Sequence, residues 1–82
     1  MSRELIRTLK KSVRAGASQG APGEDIRAAR EAALALLRRS IALRHDRLAL
    51  RRLACALELG AEVNVADWEY CKKTAARLHV SI

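Results

Sequence analysis

Residues 24–59, EDIRAAREAALALLRRSIALRHDRLALRRLACALEL, contain neither glycine nor proline and are dominated by Ala, Leu and Arg. These are strong helix formers. At 100° per residue, Leu34, Leu37, Ile41 and Leu48 fall on one face, while Leu36, Leu43, Leu50 and Leu57 recur every seven residues on roughly the opposite face. The spacing predicts either one long helix or two helices that meet at Arg44–His45–Asp46–Arg47, where His45 closes the first and Asp46 caps the second. Gly60 ends the segment in either case. The fold class expected is all-α: a small bundle of three to four helices built on one long central helix or helical hairpin.

Toward the carboxyl terminus, AEVN forms a short connection. Asn64, followed three residues later by Asp67, has the spacing of a capping box. A last helix over residues 64–79 would place Val65, Trp68, Cys71, Ala75 and Leu78 on its inner face, with Trp68 substantially buried as the largest apolar anchor. Toward the amino terminus, residues 16–23 gather three glycines and the only proline and read as a loop. Before it, residues 1–15 read as a basic amphipathic helix capped by Ser2, with Leu5, Ile6, Leu9 and Val13 inward. This helix is expected to dock on the body. The whole chain, residues 1–82, is read as a single helical domain.

Composition supports the helical reading, with 16 Ala, 12 Arg and 4 Lys beside one Trp, one Tyr and no Phe. Strand-forming residues are scarce. The net charge of +7 is uneven, and residues 1–20 alone carry +4. A polyanion or an acidic protein surface would meet that end first. The basic patch comprises Arg3, Arg7, Lys10, Lys11, Arg14, Arg38 and Arg39.

Several function classes lack the residues they need. There is no glycine-rich phosphate loop, no nucleophile elbow and no carboxylate pair in an apolar setting, so no enzyme activity and no small-molecule substrate are expected. Cys55 and Cys71 form no CxxC and stand far from His45 and His79, so neither a metal site nor a cofactor is expected. The two thiols read as buried small hydrophobes in a reducing cytoplasm, although helix packing could bring them together as a disulfide. No apolar run reaches bilayer-spanning length, and no signal peptide is read at the amino terminus.

Short stretches carry partial resemblances. LELGAEVNVAD, residues 57–67, is similar to the inter-repeat turn of an ankyrin unit, without the TPLH-type start or a second copy that an array requires. Leu5-Ile6-Arg7 resembles the opening of the mitochondrial Leu-Tyr-Arg adaptors, with Ile6 in place of the defining tyrosine. LACALELGAEVNVADWEYCKKTAARL admits a helix-turn-helix reading, opposed by the long AEVN turn and by Asp67 and Glu69 at the start of the supposed recognition helix.

A helix apolar on two sides must bury one side on its own chain and the other on something else. The expected function is therefore a non-catalytic helical interaction module, such as an adaptor, chaperone or inhibitor. It would dock an acidic protein, or a second copy as a homodimer, through Leu36, Leu43, Leu50 and Leu57. The alternative is a dimeric nucleic-acid-binding regulator that uses the basic amino-terminal half against phosphates.

Overall fold

The computed structural model describes residues 2–81, and all regular structure among them is α-helical. Four helices follow in order: α1 (Arg3–Ala17), α2 (Gly23–Ala42), α3 (Asp46–Glu58) and α4 (Val65–Leu78). The expected all-α bundle is what the chain forms. Its Cα envelope, 37 × 26 × 18 Å, is a slab about two helices thick.

Local signals set most of the helix ends. Ser2 accepts the Leu5 amide at 3.2 Å and Asn64 accepts the Asp67 amide at 2.8 Å, each satisfying a donor that the first turn leaves open. The capping box at Asn64 is only half formed, because the Asp67 carboxylate turns to Arg38 of α2, 3.8 Å away. After α3, Gly60 adopts φ 76°, with Ala61 N–H bonded to the Ala56 carbonyl and Gly60 N–H to that of Leu57. This is the Schellman arrangement that a glycine favours.

The central segment is a hairpin, and its break sits at Arg44. His45 N–H bonds back to Ser40 and Arg44 N–H to Ile41, the same arrangement with a left-handed arginine, φ 54°, at the position glycine usually takes. A left-handed non-glycine residue costs ~1 to 2 kcal/mol, which the packing of α3 against α2 offsets. His79 ends α4 in the same way, at φ 57°.

Gly16 departs from the sequence expectation. Residues 16–23 read as a loop, yet α1 continues through Ala17, and Gly16 is buried inside it. A Cβ there would lie 2.7 Å from the Asp25 carbonyl oxygen and run into the Ala29 side chain, so the glycine permits α1 and α2 to approach closely. From that contact α1 lies along α2, and α3 packs on α2 as well. The second apolar side of α2 is thus covered by the chain's own first helix, which removes the requirement for an external partner there.

The core has two parts. Leu37, Ala49, Leu50, Leu53, Cys71 and Ala75 form the larger, with Ile41, Val63, Trp68 and Leu78 packed on it. Each fully buried leucine contributes on the order of 2 to 3 kcal/mol. Trp68 is partly buried on this core, and the Lys72 ammonium lies over its ring, 5.7 Å from the ring centre. The smaller part joins Ala33, Ala56 and Ala61 with Val13, Leu34, Leu59 and Val63.

Asp46 ties α3 to α4, since its carboxylate accepts the Tyr70 hydroxyl at 2.6 Å and pairs with Arg77. These two hydrogen bonds, Tyr70 first, hold its pKa below the usual carboxylate value, and the same bond holds the Tyr70 hydroxyl above its own. Both cysteines are free thiols, and burial raises the pKa of each. Among the described residues, no helix is long and apolar enough to cross a membrane, and no three potential metal ligands cluster.

Candidate partner-binding groove

The four leucines expected to form one docking face do not. Leu36 and Leu50 are buried at 3% and 8% exposure, whereas Leu43 and Leu57 are 47% and 44% exposed. The seven-residue period holds only along an unbroken helix, and the turn at Arg44 resets its phase. Leu36 and Leu43 stay near each other on α2, while Leu50 and Leu57 move to α3.

A groove opens between α1 and α3, floored by α2. Ile6 and Lys10 form its α1 wall, Leu36, Arg39, Ser40 and Leu43 its floor and mouth, and His45, Leu48 and Arg52 its α3 wall. Its volume is about 240 Å³. The hairpin turn makes this site, because reversing the chain at Arg44 brings Leu48 and Arg52 level with Arg39 and Leu36. Ser40 is satisfied within its own helix, its hydroxyl donating to the Leu36 carbonyl at 3.0 Å, so the floor presents mainly carbon.

The electrostatics of the lining have one sign. Lys10, Arg39 and Arg52 bring three fixed cations, and no carboxylate lines the groove. Beyond its mouth, Ala35, Ala42 and Leu43 continue as an apolar shelf between Arg38 and Arg39. An anionic ligand with an apolar face fits such a surface.

The structure brings some of the expected basic residues together and separates others. Lys10 and Arg39 meet at the groove. Arg3, Arg7 and Arg14 share the Lys10 stripe of α1, an exposed cationic row spanning about 16 Å. Lys11 lies off that row and is exposed. Arg38, one residue from Arg39, points instead toward Asp67 of α4. His45, Leu48 and Arg52 were not among the expected site residues, because only the pairing of α3 with α2 places them there.

Compared with family models, with curated proteins and with solved structures, the chain matches none, and the geometry of the groove carries the functional reading.

Proposed function

We propose that the protein is a non-catalytic helical interaction module, acting as an adaptor, chaperone or inhibitor, that binds an acidic amphipathic segment of a partner protein in the groove between α1 and α3. The observation that carries this reading is the lining itself: an apolar floor bordered by Lys10, Arg39 and Arg52 with no acidic residue among them. Leucines of the partner segment would bury against Ile6, Leu36, Leu43 and Leu48, and its carboxylates would pair with the rim. Free thiols at Cys55 and Cys71 fit a reducing cytoplasm.

The test is fluorescence anisotropy with a labelled helical peptide that carries leucines along one face and glutamates elsewhere, beside a lysine-for-glutamate counterpart. Wild type should bind the acidic peptide and not the basic one. The Arg39→Glu/Arg52→Glu variant should weaken binding by about tenfold or more, chiefly through slower association. Equal binding of the two peptides, or no loss in the variant, would defeat the reading.

A second reading, nucleic-acid binding, is favoured by the exposed row Arg3, Arg7, Lys10 and Arg14 on α1. It predicts duplex DNA affinity that falls steeply with salt, each neutralised phosphate adding ~0.9 to the slope. Replacing those four residues with Gln would then flatten the slope with little regard to DNA sequence. Absence of duplex binding at low salt would dismiss this reading.

A further inference from the structure

The outward face of α3, on the other edge from Leu48 and Arg52, carries a second and more apolar groove. Leu50, Leu53, Ala54, Leu57 and Val80 line a cavity of about 430 Å³, with Arg47 and Arg51 at one end. Leu57 and Val80 are 44% and 41% exposed there.

Charge along this face is arranged with direction. Arg47 and Arg51 precede Ala54, and Glu58 follows on the same stripe as Arg51, seven residues on. All four are exposed, and neither Arg51 nor Glu58 takes part in an ion pair among the described residues. From these features we infer that α3 pairs antiparallel with α3 of a second copy of this chain, about a two-fold axis beside Ala54 and Cys55.

The choice of occupant follows from the charges. An antiparallel pairing centred between Ala54 and Cys55 sets Arg51 against the second copy's Glu58, and the symmetry repeats that pair. The same centre relates Arg47 to Glu62, which is exposed in the turn after α3. A parallel, in-register pairing would instead set Arg51 against Arg51 and Glu58 against Glu58, which repel. Ala54 at the axis lets the helices approach near the lower end of the ~8 to 10 Å range of helix packing. The exposed Leu57 of each copy then fills the apolar groove of the other. The same patch is used on both copies, and the contact closes on itself as a two-fold dimer. The α1–α3 groove stays open in this arrangement, so dimerisation and capture of an acidic segment are independent.

Sedimentation velocity from low to several hundred micromolar tests the pairing. Wild type should show concentration-dependent dimerisation. Arg51→Glu and Glu58→Arg, each at an exposed position, should separately weaken it by about tenfold or more, because each variant sets two like-charge pairs in the interface. Mixing the two single variants should restore a dimer, since every cross-pair is then attractive, and the double variant Arg51→Glu/Glu58→Arg should dimerise by itself. Far-UV circular dichroism should show all variants folded. A wild type that remains monomeric throughout the range, or single variants that dimerise as well as wild type and gain nothing on mixing, would overturn the inference.

Discussion

Gly16 of α1 lies directly against Ala29 of α2, at a distance that leaves no room for a methyl group on Gly16. The Asp25 carbonyl closes the same space from the backbone side, so a new Cβ cannot be accommodated by turning a side chain. Gly16→Ala improves helix propensity by ~1 kcal/mol but forces the two helices apart, and overpacking of this kind costs ~1 to 3 kcal/mol. We expect net destabilisation concentrated in α1. Urea denaturation should show a lower midpoint, and amide exchange should quicken across Arg3–Ala17 more than in α3. Ala29→Gly in the same chain should recover part of the loss.

Arg44 is a different kind of backbone position. It holds φ 54° in the turn between α2 and α3, where a side chain brings strain and no buried contact compensates it, since the residue is exposed. Arg44→Gly should therefore stabilise the fold by about 0.5 to 1 kcal/mol, the relief of left-handed strain exceeding the added entropy of the unfolded glycine. The measurement is the shift of the denaturation midpoint. A lower midpoint would show that the arginine contributes something the turn geometry does not reveal.

Leu43 and Leu50, equivalent in the seven-residue pattern of the sequence, should respond oppositely to the same substitution. Leu50→Glu places a charge in the larger core and should cost at least ~3 kcal/mol, enough to unfold much of a domain this small. Leu43→Glu, at a position 47% exposed, should leave helicity and the unfolding midpoint nearly unchanged while abolishing capture of an acidic peptide in the α1–α3 groove. Circular dichroism separates the two outcomes directly.

The contrast between Leu43 and Leu50 also marks how far the sequence was readable. Caps at Ser2 and Asn64 and the stop at Gly60 were legible because each depends on hydrogen bonds within a few residues. The turn at Arg44 was open between two readings because no glycine or proline marks it, and packing of α3 on α2 holds the strained residue in place. Gly16 misled for a physical reason: conformational freedom in a loop and close approach in a helix pair both call for the same residue. Of the candidate groove, Lys10, Arg39, Leu36 and Leu43 were visible as basic or apolar positions. Leu48 was read only as an apolar helix position, and neither it nor Arg52 and His45 as part of a site, since the juxtaposition of α1 and α3 across α2 is a tertiary fact with no local signal.

Asp46 and Tyr70 should give the stability of the α3–α4 junction a limit on each side of neutrality. The Tyr70 hydroxyl and Arg77 hold the Asp46 carboxyl below its unfolded value near 3.8, and its place in the first turn of α3 adds the favourable end of the helix dipole. A depressed carboxylate contributes stability that is fully present above the unfolded pKa and is lost as pH falls through the folded one. Tyr70 has the opposite sense. Its bond to Asp46 raises the folded pKa above 10, so the native state retains the proton, and that contribution is complete below 10 and lost as pH rises through the folded value. Urea melts across pH should therefore show an acid limb below about 4 that flattens in Asp46→Asn. An alkaline limb above about 10 should shrink in Tyr70→Phe, the raised Cys55 and Cys71 thiols keeping the remainder. Because Tyr70 is the first contributor to the Asp46 shift, Tyr70→Phe should also shrink the acid limb, whereas Lys73→Gln, on the same helix but outside these bonds, should leave both limbs in place. Acid limbs of equal depth in wild type and Asp46→Asn would show that the carboxylate does not hold the two helices together.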